Sequence, residues 1–426
     1  MTIFVFLAAL LGAMAIGVPV AFALIFCGIV LMSYMGIFNT QIVAQNMIEG
    51  ANTFTLLAIP FFMLAGELMN QGGLSKRIID FAISFVGHRK GGLGVVAIIA
   101  AIVMASLSGS AAADTAALAA ILIPMMREAG YNVPRSAGLI SGGGIIAPVI
   151  PPSIAFIIFG VAANVSITQL FLAGIFPGLL MGIGLFVAWQ FVARRDNVAV
   201  LPRQTWAQRG RATARAGWAL LMPVIILGGI RFGIFTPTEA AVVAAVYALF
   251  VGMVVYRELK PRDLYGVLLR AAKTTSVIMF LVAAALISAW LITSANIPNE
   301  IGGMIRPLMD SPTLLLLVIM LLVLVVGTAL DLAPTILILT PVLIPIIKQA
   351  GIDPVYFGVL FVMNTCIGLI TPPVGIVLNV VSGVARVPLG KVVYGVTPFL
   401  ISHVGVLFLL VLFPELVLVP LKWLRG

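Results

Sequence analysis

The chain has 426 residues, 62% of them hydrophobic and 9% charged, with a mean hydropathy of +1.22. Soluble domains carry about a quarter charged residues, so this is an integral membrane protein, whose chemistry falls to residues inside the bilayer or to partner proteins. The 24 Lys and Arg against 14 Asp and Glu read as positive-inside connections rather than a nucleic-acid surface, because no basic stretch is interleaved with aromatics.

In chain order the apolar segments fall at 2–16, 17–35, 56–75, 91–126, 136–160, 169–193, 217–232, 236–256, 274–293, 312–347, 355–380 and 394–415. The opening run from Thr2 to Phe38 has no basic n-region and exceeds a signal h-region, so it is expected to stay in the mature protein. Segments 91–126 and 312–347 are too long for one crossing of a core about 30 Å thick and too short for two. Each has a polar interruption, Ser106 to Ser110 with Asp114 in one and Gly327-Thr328 with Asp331 and Pro334 in the other. Two re-entrant hairpins are therefore predicted, since non-helical backbone at membrane depth is tolerated only inside protein or beside water. Segments 74–87 and 261–272 alternate basic and apolar residues as interfacial helices do.

The chain repeats itself. An offset of 221 carries Leu122, Pro124, Gly130, Pro151, Pro152, Gly174 and Pro177 onto Leu343, Pro345, Gly351, Pro372, Pro373, Gly395 and Pro398, and an offset of 218 does the same upstream for Pro19, Phe62, Ala65 and Gly109. Chance apolar similarity does not align a Pro-Pro pair and outlying prolines in one register. The predicted organisation is a first repeat over 1–196 with its hairpin at 91–126, a basic cytoplasmic connection over 197–216, and a second repeat over 217–426 with its hairpin at 312–347.

With two hairpins, about ten transmembrane helices remain. Five crossings per half invert the second copy, which places 19 of the 24 basic residues on the cytoplasmic side. Both termini are then outside, although Lys422 and Arg425 weigh against that side for the C-terminus. The fold class is an all-α polytopic membrane protein of two inverted-topology repeats, the design of secondary transporters. No Walker A sequence is present, so the drive comes from an ion gradient or a partner.

Acidic residues within apolar segments are functional candidates, and Asp114 and Asp331 lead because each follows a hairpin-tip Gly-Ser or Gly-Thr. Hydroxyls, an aspartate and freed carbonyls suit Na+; capping of a half-helix is the alternative, and one side chain can do both. Facing the tips should be Ala147 to Pro152 and Gly368 to Pro373, where successive prolines leave carbonyls without helical partners. Ser141 to Gly144 and Asn364 to Cys366 add small or polar residues, and for Ser141 to Gly144 a plain packing face remains open. A half-helix beginning near Ser153 points its positive end at the first break, which suits an anion. Thr236-Pro237-Thr238-Glu239 reads as a capping box, while Glu67 has either a polar neighbour or a subunit contact. Cys27, Cys366, His88 and His403 form no ligand cluster, so a transition metal, a cofactor or an intramembrane enzyme is not expected.

With SLSGSAAADTAALAAILIPMM (106–126), GGGIIAPVIPPS (142–153), FTPTEAAVVAA (235–245) and GLITPPVGIVLN (368–379), the chain resembles the large membrane subunit of TRAP (tripartite ATP-independent periplasmic) transporters over essentially its whole length. The resemblance is nearest to members importing 2,3-diketo-L-gulonate. It implies a multi-pass protein of the bacterial cytoplasmic membrane that imports an organic acid anion with sodium by an elevator movement. The implied partners are a periplasmic substrate-binding protein and a small four-helix membrane subunit, expected as a separate polypeptide. Carried over by motif, the first sodium site falls on Ser108, Gly109, Ser110 and Asp114 with carbonyls at Ala147, Ile150 and Pro152. The second falls on Gly327, Thr328, Asp331, Asn364, Gly368, Thr371 and Pro373, and the substrate region on Ser110, Gly144, Ser153 and Thr365. A self-sufficient sodium/dicarboxylate-type symporter of the same design is the alternative.

Overall fold

A computed structural model describes residues 2–194, 198–304 and 306–425, apart from the side chains of Ile3, Pro298, Asn299, Met304, Arg306 and Pro307. The expected boundary at residues 196 and 197, Arg195, and the Arg306 side chain lie outside the described residues. The described residues are mainly helical, with no strand among them. The first half runs α1 (Thr2–Ala15), α2 (Val20–Tyr34), α3 (Thr40–Ala51), α4 (Ala58–Gln71), α5 (Leu74–Val86), α6 (Gly92–Ser108), α7 (Ala111–Glu128), α8 (Val133–Gly144), α9 (Ile154–Ala163) and α10 (Ile167–Ala193). The second runs α11 (Trp206–Arg231), α12 (Pro237–Phe250), α13 (Leu264–Ser294), α14 (Ile297–Met304), α15 (Arg306–Met309), α16 (Pro312–Gly327), α17 (Leu332–Gln349), α18 (Pro354–Gly368), α19 (Ile376–Ala385), α20 (Leu389–Leu412) and α21 (Glu415–Arg425).

The helix bounds follow the same 221-residue offset. Shifted by 221, α7 lands on α17 end for end, and α8, α9 and α10 land on α18, α19 and α20 within three residues. Both copies stop the long hairpin helix in the same way: Gly130 and Gly351 take positive φ, +83° and +70°, the left-handed conformation that ends a helix at little cost only for glycine. Each Pro-Pro bond, Pro151-Pro152 and Pro372-Pro373, is cis.

Both long segments fold as two helices joined at the predicted polar interruption, and both broken helices stop short of their Pro-Pro pair. At 1.5 Å per residue the ten-residue α9 and α19 are about 15 Å long, half a hydrocarbon core. Seven helices among the described residues are long and apolar enough to cross a membrane alone, and seven shorter apolar helices accompany them. Exposed Phe4, Leu11, Phe22, Leu221 and Val224 give the outer helices the apolar surface that lipid covers.

Three boundaries differ from the segments read in the sequence. Helix α11 starts at Trp206, not 217, because Thr205 and Gln208 form a capping box there, so local capping rather than hydropathy sets the start. Residues 261–272 are not a separate interfacial helix; after a short 3-10 turn at Pro261–Asp263 they join the 31-residue α13. The amphipathic α3, its N-terminus capped by Asn39, was hidden by its low hydropathy.

Packing divides the helices. α1 to α4 associate with α11 to α13, chiefly through α4 on α12 and α2 on α13. The hairpins, broken helices, α10 and α20 form the other group, in which α8 crosses α20, α10 crosses α20, α7 packs on α19 and α17 packs on α9. Each hairpin thus packs on the other copy's half-helix. At the centre every residue of α8 from Ser136 and every residue of α18 from Val355 is buried. The α8–α20 crossing brings backbones together at Gly138 and Gly395, where any Cβ meets main chain. His403 donates from Nε2 to the Gly142 carbonyl at the same crossing, 3.0 Å.

Candidate functional site: two hairpin tips against two proline breaks

The first tip is built by three adjacent conformational choices. Gly109 ends α6 with φ +63°, turning the chain so that Ser110, in extended conformation, becomes the N-cap of α7 with its hydroxyl accepting from Ala113 N–H. The turn folds Ser108 back over α7, where its hydroxyl donates to Asp114 Oδ1 at 2.5 Å and accepts from Ser110 N–H at 3.2 Å. Asp114 is 2% exposed, and its Oδ2 is buried with no hydrogen-bond partner. A buried carboxylate oxygen with a vacant lone pair costs free energy unless a cation or donor meets it.

The first proline break faces this tip. A Cβ at Gly109 would stand 2.6 Å from the Pro152 carbonyl oxygen, so only glycine lets the turn close on the break. Ser153 caps α9, accepting from Phe156 N–H at 3.2 Å and donating to the Pro148 carbonyl. Gly144 is filled by its neighbour, the Thr115 side chain, whose hydroxyl is itself bonded to Ala111 O at 2.6 Å. Ser108, Gly109, Ser110, Asp114, Pro152 and Ser153 are therefore drawn together, and Gly144 joins them through Thr115 one turn along α7. Ala147 and Ile150 lie in the buried break, with Ile150 packed under Gly178 of α10.

The second tip has the same outline and different chemistry. Gly327 ends α16 against Gly368, where a Cβ would stand 2.6 Å from the Gly327 carbonyl carbon, and the Thr365 carbonyl oxygen is 3.6 Å from a Cβ built at Gly327. The Thr328 hydroxyl donates to Val325 O at 2.8 Å and that of Thr371 to Ile367 O at 2.7 Å. Asp331 is exposed and caps α17, its Oδ1 accepting from Leu332 N–H at 2.7 Å. Under the 221 offset Asp331 answers to Ser110, the other N-cap, and Asp114 answers to Thr335. The two aspartates are thus not equivalents within the repeat: one is buried in its hairpin, the other caps.

Two second-tip residues turn elsewhere. The Asn364 amide donates to Met320 O at 2.5 Å, and its Oδ1 is buried without a partner; the side chain lines an apolar cleft of about 300 Å³ between α16 and α20. The buried Thr365 hydroxyl is bonded to Phe361 O at 2.8 Å. Pro373 is exposed. Thr115 and Thr335 take matching places one turn into α7 and α17, their hydroxyls donating to Ala111 O at 2.6 Å and Asp331 O at 2.8 Å; the i+4 helical spacing is their signal in the sequence.

A cavity of about 820 Å³ lies away from the tips. Asn46, Glu49, Thr53, Asn164, Trp290 and Thr293 are among its lining, between α3, α13 and the α9–α10 turn, and none of its lining residues is Lys or Arg. Thr236–Glu239 is the expected capping box, with both reciprocal bonds present, and Glu67 finds a polar neighbour, Arg270, at 2.8 Å. Among the described residues no group of His, Cys, Asp and Glu could hold a metal by itself.

Comparison with known proteins gives these features a family. The model for "Tripartite ATP-independent periplasmic transporter, DctM component" matches residues 7–416. The chain is 56% identical to the 2,3-diketo-L-gulonate TRAP transporter large permease protein YiaN of Escherichia coli, covering 100% of both chains. It is 40% identical to the sialic acid TRAP transporter large permease protein SiaM of Vibrio cholerae, covering 96% of each. Among solved structures, the Alcanivorax borkumensis YdaH transporter shares the fold with a TM-score of 0.63 at 16% identity, over 90% of this chain and 88% of that one. The chain is a multi-pass membrane protein and belongs to the TRAP transporter large permease family.

Proposed function

We propose that this chain is the large permease subunit of a sodium-coupled, binding-protein-dependent importer of an organic acid anion in the bacterial cytoplasmic membrane. The observation that carries the reading is the closure of each glycine tip on a proline break, with the Asp114 Oδ2 buried and unpartnered beside the first. Broken helices offer carbonyls, and the tips add hydroxyls and carboxylates, which is an oxygen-only donor set suited to Na+. In the first site Ser108, Gly109, Ser110 and Asp114 act with the Ala147, Ile150 and Pro152 carbonyls. In the second, Gly327, Thr328 and Asp331 act with Gly368, Thr371 and the carbonyls beside Pro373, and Asn364 enters only by turning its free Oδ1 from the α16 side.

The substrate is a carboxylate. α9 starts at the first break, and its positive end favours an anion near Ser153; Ser110, Gly144 and Thr365 complete that region. The relatives are named for 2,3-diketo-L-gulonate at 56% identity and for sialic acid and C4-dicarboxylate at 40%, so an organic acid anion of sugar-acid or C4-dicarboxylate type is the class proposed. The two halves are inverted in the membrane, and the group of hairpins and broken helices moves as an elevator against α1 to α4 and α11 to α13. A small four-helix subunit braces the latter, and a periplasmic protein delivers substrate on the side where the large cavity opens, which carries few basic residues.

The test is uptake into proteoliposomes under an inward sodium gradient. Transport is expected only when the chain is combined with a small subunit and a substrate-loaded binding protein. Uptake by this chain alone would replace the reading with a self-sufficient symporter.

A further inference from the structure

The joint between α5 and the start of α11 contains a charge that nothing in the transport reading uses. Arg209 is 8% exposed, held between the Phe85 ring at 5.8 Å and the Trp206 ring at 4.9 Å. Its Nε and Nη2 are buried without a hydrogen-bond partner. No ion pair among the described residues reaches it. A guanidinium taken out of water with two idle donors and no carboxylate is unfavourable unless an anion completes it.

Among the described residues the charges that act on neighbouring His88 are all basic, while Asp80 of α5 lies farther along the joint beside Arg77 and Arg215. His88, next to the joint, also leaves its Nδ1 buried and unpartnered. Partial burial, and then the charges of Arg209, Arg203 and Arg89, hold its imidazole below the ordinary histidine value. These cations come from three separate stretches, the α5–α6 turn, the α10–α11 connection and α11 itself, so the fold gathers them. Around them the surface is apolar: Trp206 and Val200 are exposed and Phe85 partly so. A soluble anion or an acidic peptide has no use for that rim; an amphiphile with a phosphate does.

We propose that Arg209, with Arg203, Arg89 and His88, binds the phosphate of an anionic phospholipid whose acyl chains lie against Trp206, Val200 and Phe85. Trp206 is the exposed ring over the guanidinium and turns aside to admit a phosphate oxygen, which accepts in the bidentate manner that arginine favours. A zwitterionic lipid would bring a second cation beside these arginines, so phosphatidylglycerol is preferred to phosphatidylcholine. α5 joins the α1–α4 group to the first hairpin, and the lipid would pin that joint to α11. The proposal rests on the basic connections facing the cytoplasmic leaflet, but binding in detergent is read without orientation or transport, so its failure is separable from that of the transport reading.

Native mass spectrometry of the full chain titrated with phosphatidylglycerol, phosphatidylcholine or inorganic phosphate tests it. Phosphatidylglycerol adducts are expected, with affinity falling about fivefold for each charge removed in Arg209→Gln, Arg203→Gln and Arg89→Gln, from roughly 1 kcal/mol per basic residue. Arg203 and Arg89 are exposed, so their variants report even if Arg209→Gln fails to fold. Arg231→Gln, at the other end of α11, should leave binding unchanged. Equal binding of phosphatidylcholine, undiminished affinity in the Arg203 and Arg89 variants, or displacement of the lipid by millimolar phosphate would each overturn the proposal.

Discussion

Ser108 donates to Asp114 Oδ1 across the turn of the first hairpin at 2.5 Å, and the other carboxylate oxygen is left buried with no partner. On the function proposed above, this half-engaged carboxylate beside the Gly109 turn would be the socket for one small cation. Asp114→Asn keeps the shape and removes the charge. Sodium-driven uptake should fall by about ten- to a hundredfold, the loss of one charged contact at about 1.5–3 kcal/mol, and sodium should raise the Tm of the purified protein by less than it does in the wild type. Uptake with unchanged sodium dependence would count against the socket.

Asp331 poses a sharper question because it caps α17. Asn caps a helix about as well as Asp, so Asp331→Asn separates the two roles within one substitution. Its Tm without sodium should match the wild type, while the sodium concentration for half-maximal uptake should rise by about tenfold or more. If both stay fixed, Asp331 is a cap and nothing else.

Gly109 and Gly368 allow the tips to approach the breaks. Alanine at either would place a Cβ 2.6 Å from main chain, and at Gly109 would also enforce a positive φ. Each should cost about 1–3 kcal/mol in stability and weaken apparent sodium affinity. Gly405→Ala, with nothing within 4 Å, should do neither. A thermal melt and a sodium titration of the three variants settle it.

Thr236→Ala removes a cap without touching the tips. About 1 kcal/mol of stability should be lost, with sodium dependence of uptake unaltered. A change in sodium affinity would move this motif from structure to function.

Glu67 and Arg270 form a half-exposed pair at 2.8 Å joining α4 to α13. Such pairs contribute up to about 1 kcal/mol, so Glu67→Gln should shift the Tm only slightly, and the swap Glu67→Arg with Arg270→Glu should recover most of that. A large loss of uptake in Glu67→Gln with normal melting would assign it a transport role.

Much of this was written in the sequence. The hairpins announce themselves because a length mismatch coincides with Gly-Ser and Gly-Thr interruptions, and the breaks because Pro-Pro cannot continue a helix. Thr236 reads as a cap from spacing alone. What stayed hidden depends on the third dimension. Asp114 and Asp331 look alike along the chain, yet a four-residue offset within the repeat makes one a buried partner of Ser108 and the other an N-cap. Asn364 sits beside the break but rotates toward Met320, a choice set by packing of α18 on α16 that no local pattern encodes. Hydropathy does not mark the start of α11 at Trp206, because basic residues lower hydropathy without breaking a helix.

The most direct test of sodium at the tips is equilibrium binding of isotopically labelled sodium to the purified chain. Saturable binding is expected in the wild type, reduced in Asp114→Asn and in Asp331→Asn, and abolished when both are present. Binding in the double variant equal to that of the wild type would contradict the assignment of the coupling sites to the hairpin tips.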